Sequence, residues 1–333
     1  MRLANFRDDI IASVKKEIKL SAVTLDSTCP TDGVEEWIST GSIVLNAAIQ
    51  RPGIPVGRVI SLLGKPASGK STLGYSLMRE TQALGGLVIL MDTEHTYAPD
   101  RAERIGVRNE DVLFYQDLSL EQAFALVTHV TNLNIADGSP RIVTAILDSH
   151  SSTPTNAEVG MDEDATRTEI ATSARLTSIH LKRLVGTGML TRGRTTLILV
   201  SQQKTAPMAF GDPTSYIAKS PIHFHSSLQL KMSYSGKLEK QEGITVKAKV
   251  TKSKVGPPFG ECSFEVLNDT GLSDVTALLI EASSRGLVTT KGGGYYTYQL
   301  SDEKFRKRDW SEFLARTPAL QRTLFGYLTG VLK

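Results

Sequence analysis

The residues most able to do chemistry in this chain are the eight of GKPASGKS, Gly64, Lys65, Pro66, Ala67, Ser68, Gly69, Lys70 and Ser71. Their spacing is that of a phosphate cradle. Gly64 and Gly69 let the backbone curl so that successive amide N–H groups point inward, and a helix opening near Ser71 adds the positive end of its dipole. Lys70 can reach the β- and γ-phosphates of a nucleoside triphosphate as a point charge, and the Ser71 hydroxyl can ligate Mg²⁺. Asp148 ends the apolar run IVTAILD, where a carboxylate at a strand tip beside the cradle would help hold the same Mg²⁺. Glu94, in LVILMDTEH, is placed to polarise the water that attacks the γ-phosphate. Its neighbours Asp92 and His95 read as structural.

Such a site needs a sheet with strand ends converging on it. VISLL (residues 59–63), LVILMD (87–92), IVTAILD (142–148) and TLILVS (196–201) are short, nearly continuous apolar runs, as strands buried on both faces should be. Residues 71–84 and 120–133 have helical length and composition between them, which predicts a parallel sheet flanked by helices. Residues 227–234 and 244–252 alternate instead, with Ile244, Val246, Ala248 and Val250 on one face and Lys247 and Lys249 on the other, so an antiparallel, half-exposed extension is expected. Two stretches without a period, 151–168 and 203–221, each follow a candidate sheet strand, where open α/β sheets carry their ligand loops. After Gly271 a helix over 274–285, the aromatic strand in GGGYYTYQL and a final helix from Asp309 onward suggest a small separate α/β domain.

Composition excludes several classes. The 333 residues are 40% hydrophobic and 22% charged, as in an ordinary globular chain. Neither a bilayer-spanning run nor a secretory leader is visible, so no membrane partner is expected and a cytoplasmic location is. Cys29 and Cys262, the two cysteines, have no metal-type spacing. The net charge of +3 is modest, but residues 285–333 hold nine Lys or Arg against four Asp or Glu, and residues 201–255 nine against three. Basic stretches of this kind suit a polyanionic partner or a solvated face.

Several blocks now add up to a likeness. ISTGS from Ile38, GIPVGRV before the cradle, MDTEH, AILDS, LILVSQ, FGDP and TKSKVGPPFGECSFEVL follow in order, and together they resemble the bacterial and phage RecA recombinases over nearly the whole chain. The resemblance implies an α/β fold: a RecA-type P-loop ATPase core over 38–271, mainly parallel with an antiparallel extension, a polymerisation segment over 1–37 and a C-terminal DNA-gating domain over 272–333. It implies ATP and Mg²⁺ as cofactors, single-stranded and double-stranded DNA as partners, a helical filament of identical subunits, and homologous pairing with strand exchange in recombination and repair. A RecA-fold ATPase of another class, a mediator or a ring-shaped DNA motor without strand exchange, is the alternative.

Roles follow from the same likeness. The residue matching Glu94 is the catalytic base in the family, and that matching Gln202 senses the γ-phosphate. Lysines like Lys252 and Lys254 reach the nucleotide of the neighbouring subunit; their other reading is a basic strand edge that discourages aggregation. Loops like 151–168 and 203–221 bind DNA. Arg175, Lys182 and Lys204 match contacts to the DNA backbone, Phe210 is an aromatic that could stack on a base, and Phe224 resembles an interface aromatic. Two departures stand out. Arg101 occupies the place where the family stacks a tyrosine on adenine, and Asp162, Glu163 and Asp164 put negative charge in the first loop.

Overall fold

A computed structural model describes residue 16 and residues 33–159, 168–205, 214–215, 217–238, 242–301 and 303–328. The chain divides into two units, residues 1–35 and 36–333, and the fold is that of the second. Nearly all of the expected polymerisation segment, together with Phe210, Asp162, Glu163 and Asp164, lies outside the described residues.

Among the described residues nine strands make the main sheet: β1 (Val59–Gly64), β2 (Leu87–Asp92), β3 (Val112–Tyr115), β4 (Val143–Asp148), β5 (Thr195–Gln202), β6 (Leu228–Lys237), β7 (Gly243–Ser253), β8 (Glu261–Leu267) and β9 (Gly271–Ser273). Their order across the sheet is β9-β8-β7-β6-β1-β5-β4-β2-β3. The six strands from β6 to β3 run parallel, and β7, β8 and β9 continue the sheet antiparallel. The expected extension therefore begins one strand later than the alternation in the sequence suggests. β6 is parallel to β1 and only its other edge is antiparallel.

Burial explains which strands were legible. β1 is buried throughout and β2, β4 and β5 nearly so, and each reads as an unbroken apolar run because both faces are covered. β3 was missed because it is a half-exposed edge strand, with Leu113 and Phe114 on the surface.

Helices α1 (Ile43–Ile49), α2 (Lys70–Ala83), α3 (Pro99–Ile105), α4 (Leu120–Ala136), α5 (Thr168–Gly186), α6 (Lys219–His225) and α7 (Val275–Ser284) surround the sheet. α4 begins with a capping box in which Ser119 accepts from the Gln122 N–H and the Gln122 side chain accepts from the Ser119 N–H. One apolar core lies on each face of the sheet. Leu62, Leu73, Leu77, Val200 and Leu230 mark one, Leu63, Phe124, Leu147, Leu181 and Leu199 the other.

Residues beyond β9 form a three-stranded antiparallel sheet, β10 (Val288–Lys291), β11 (Tyr295–Tyr298) and β12 (Lys304–Arg306), over a cluster of Phe305, Trp310 and Phe313. The expected single final helix is two, α8 (Trp310–Ala315) and α9 (Pro318–Leu328). Proline at position 318 keeps Thr317 out of the helical region, while its own fixed φ suits the first turn of a new helix. Among the described residues no helix is long and apolar enough to cross a membrane.

Candidate nucleotide-binding site

Register brings the chemistry together. In the parallel ladders Gly64 pairs with Gln202 and Asp92 with Asp148, while Leu147 pairs with Leu199, three residues before Gln202. The ends of β1, β5, β4 and β2 thus form one rim, and the chain leaves β1 there to enter α2 through the glycine-rich loop.

Both glycines of that loop are needed for different reasons. A Cβ on Gly64 would stand 2.3 Å from Ser68 Oγ and 2.5 Å from the Met232 carbonyl. Gly69, with φ of 84°, is the left-handed N-cap of α2, a conformation that costs other residues free energy. Lys65, Pro66 and Ala67 are exposed, whereas Ser68 and Lys70 are buried. Lys70 Nζ donates to the carbonyls of Gly64 at 3.1 Å and Lys65 at 2.9 Å. Burial lowers its pKa, opposed by the charges of Asp148 and Glu94. Ser68 Oγ is buried and has no hydrogen-bond partner among the described residues, an orphan that a phosphate oxygen in the cradle would satisfy.

Ser71 Oγ donates to Asp148 Oδ2 at 2.9 Å. Burial raises the Asp148 carboxyl to about 6, with the Ser71 hydrogen bond and Lys70 opposing and the negative charges of Glu94 and Asp92 adding to the rise. Asp92 is also buried; its Oδ2 accepts from the Tyr97 N–H at 2.9 Å, and its Oδ1 has no partner among the described residues. Among the described residues Lys70 faces the charges of Asp148 and Glu94, and Asp92 adds a third carboxylate beside Asp148, so the rim is short of positive charge. A divalent cation fits that deficit, and the donors present, one hydroxyl and one carboxylate beside phosphate space, match the few protein ligands Mg²⁺ takes. Among the described residues no group of three or more His, Cys, Asp and Glu forms a cage.

Glu94 lies two residues beyond β2, and three side chains fix it. Its Oε1 accepts from Ser149 Oγ, from Ser152 Oγ at 2.9 Å and from Gln202 Nε2 at 2.7 Å. Burial pushes the carboxyl up, but these bonds and Lys70 outweigh it, so the pKa is lowered. Gln202 thus touches Glu94 with its side chain, while its main-chain N–H donates to Ser151 Oγ at 3.0 Å. Neither Ser149, Ser151 nor Ser152 was singled out from the sequence, because serines in a polar run carry no periodic signal. His95 is exposed and pairs with Asp117 at 3.3 Å, away from this group.

Arg101, on α3, donates through Nη2 to Thr72 Oγ1 at 2.8 Å and through Nε to the Asn268 carbonyl at 3.0 Å, and lies 5.9 Å over the Tyr75 ring. It therefore sits against the first turn of α2. Tyr75 packs edge-on against Tyr97 at 5.5 Å, an aromatic pair whose two members, 22 positions apart, carry no motif that links them.

Lys252 and Lys254 do not join this group. Lys252 pairs with Gln229, which pairs with Ser61, three residues below Gly64 and roughly 10 Å down the sheet. Both amines turn to the end of α6: Lys252 Nζ donates to the His223 carbonyl and, at 3.0 Å, to that of Phe224, and Lys254 Nζ donates to the Phe224 carbonyl at 3.0 Å. Burial, then Lys254, lowers the Lys252 pKa to about 8. Phe224 is 69% exposed, with Lys254 5.7 Å over its ring. The two lysines do share a face, where both reach the Phe224 carbonyl rather than their own cradle.

Arg175 and Lys182 lie exposed on α5. The first of the two loops contains a helical turn, Asn156–Val159, and the second a short ladder, Lys204–Thr205 with Thr214–Ser215, that includes Lys204.

Comparison with known proteins points to one family. The family model described as the RecA N-terminal domain matches residues 8–273. A protein named Protein RecA from Allochromatium vinosum is 30% identical over 293 residues, covering 87% of this chain and 81% of its own length. Proteins of the same name from Thioalkalivibrio sulfidiphilus (strain HL-EbGR7) and Helicobacter pylori (strain ATCC 700392 / 26695) are each 32% identical, over 82% and 79% of this chain and 77% and 74% of their own lengths.

Proposed function

The chain belongs to the RecA family, and from that premise we propose that it is an ATP-dependent recombinase, a DNA-dependent ATPase that polymerises on single-stranded DNA and pairs it with homologous duplex. The observation that carries this reading is the bond from Gln202 to Glu94. It ties the carboxylate best placed to act on water to the residue from which the second loop departs.

In this reading the cradle from Gly64 to Ser71 holds the phosphates of ATP, with Lys70 leaving the Gly64 and Lys65 carbonyls for the terminal phosphates. Ser71 and Asp148 hold Mg²⁺, which when bound supplies the positive charge the rim lacks. Glu94, ionised at neutral pH, orients the attacking water and takes its proton. Gln202 exchanges its bond to Glu94 for one to the γ-phosphate, since an amide offers both donor and acceptor. The second loop is thereby held in its DNA-binding state until hydrolysis removes that partner. Arg101 covers the base with its guanidinium plane.

Lys252 and Lys254 lie too far from their own cradle to serve it, and the exposed Phe224 beside them is an apolar anchor of the kind interfaces use. They act on the nucleotide of the next subunit, so ATP lies between two copies of the chain and full hydrolysis requires the filament. Arg175, Lys182, Lys204 and Phe210 contact DNA; backbone contacts give affinity without sequence preference, as pairing by homology requires. Residues 38–271 act as the ATPase core, 1–37 as the polymerising segment and 272–333 as the domain that gates duplex access.

A strand-exchange assay tests the reading. Joint molecules should form between a single strand and homologous duplex when ATP is present, and not with heterologous duplex. ATP hydrolysis on DNA with no joint molecules from homologous substrates would contradict it.

A further inference from the structure

Four consecutive residues behind the nucleotide site send their side chains to three destinations. Ser149 and Ser152 hold Glu94, and Ser151 receives the Gln202 N–H. His150 turns the other way. It is 0% exposed, its N–H donates to the Val200 carbonyl at 2.9 Å, and its Nε2 lies 2.9 Å from Thr177 Oγ1 on α5. The Thr177 hydroxyl gives its own hydrogen to the Ser173 carbonyl at 2.7 Å, a bond threonines in helices often make. Its oxygen therefore accepts, and Nε2 of His150 carries the proton.

Nδ1 of His150 is buried with no hydrogen-bond partner among the described residues. An apolar side chain would fill this space without leaving a polar atom unsatisfied. What the imidazole adds is direction: a hydrogen bond holds one geometry, whereas apolar packing alone lets a helix slide. Thr177 is wholly buried on the inner face of α5, and Arg175 and Lys182 lie roughly 150° around the helix from it, facing out. One end of the link is thus within two residues of Asp148, and the other is on the helix that presents the two cations.

We propose that the His150–Thr177 hydrogen bond is a positioning link that carries the state of the nucleotide site to the basic outer face of α5, a second route beside the one through Gln202. The inference rests on the recombinase reading, in which Arg175 and Lys182 meet DNA. His150 touches neither nucleotide nor DNA and acts only through Thr177.

The test uses the full chain and a fluorescent single-stranded oligonucleotide, read by anisotropy with and without a non-hydrolysable ATP analogue. The quantity compared is the ratio of the two DNA affinities. Thr177→Val keeps the shape and removes the acceptor; it should cut the ratio about fivefold, while affinity for the analogue alone stays near that of the parent. His150→Gln, whose Nε2 can donate to the same hydroxyl, and Thr177→Ser, which keeps the hydroxyl, should retain the ratio. Leu181→Ala, a cavity on the same helix, should lower the melting temperature and leave the ratio unchanged. The link is overturned if Thr177→Val has the parental ratio, or if Leu181→Ala lowers it equally. Should Thr177→Val fail to fold, His150→Leu takes its place, and a parental ratio there overturns the link. A parent chain whose DNA affinity ignores the analogue would overturn the recombinase reading itself, a result separate from any difference between parent and variant.

Discussion

Glu94 is held by three donors at once, and that determines what changing it should do. Glu94→Gln keeps the shape and can still accept from Gln202, so nucleotide should bind about as in the parent while hydrolysis falls by about two orders of magnitude or more. Equilibrium binding of a fluorescent analogue and phosphate release check the two halves separately. Lys252 gives a pH signature. Burial, then Lys254, depresses its pKa to about 8, so it is charged below that value and neutral above it. Because that pKa belongs to the free chain, it should show in kcat/KM: DNA-stimulated hydrolysis at limiting ATP should decline as pH rises through about 8, and Lys252→Arg, which stays charged, should flatten that limb in a pH–rate profile. The chemistry-bearing residues were legible where spacing or a strand end fixes them, as with Lys70, Ser71 and Asp148. His150 and the serines around it were not, because their roles come from where α5 and Glu94 lie in space.

The glycine-rich turn between β1 and α2 is the element on which the site depends. A methyl at position 64 would meet a neighbouring hydroxyl and a backbone carbonyl well inside contact distance. Gly64→Ala should therefore lower stability by about 1–3 kcal/mol, seen as a lower midpoint in urea, and nucleotide affinity should fall with it. Buried strands could be read from the sequence because covering both faces demands continuous apolar residues. β3 could not, since an edge strand with Leu113 and Phe114 outward lacks that pattern. The break between α8 and α9 falls at Pro318, although the helical composition continues across it.

Across the whole molecule, the cradle leaves one end of β1, while the Lys252–Lys254 pair lies level with Ser61 and beyond, toward the other end of that strand. On the proposed reading such a subunit carries two halves of different sites, and stacking copies head to tail would bring one half against the other. Open-ended stacking of that kind yields a filament when the rotation does not close. No periodicity in the sequence shows this arrangement; it follows from β6 and β7 being added beside β1 with Lys252 at the lower end.

Mixing two variants tests that claim most directly. Glu94→Gln subunits keep the lysines and lose the base, while Lys252→Ala/Lys254→Ala subunits keep the base and lose the lysines. Each alone should hydrolyse ATP poorly on single-stranded DNA, and the mixture should regain activity where an intact Glu94 faces a neighbour's lysines. A mixture as inactive as its two components, or a lysine variant that is fully active alone, would contradict the shared site.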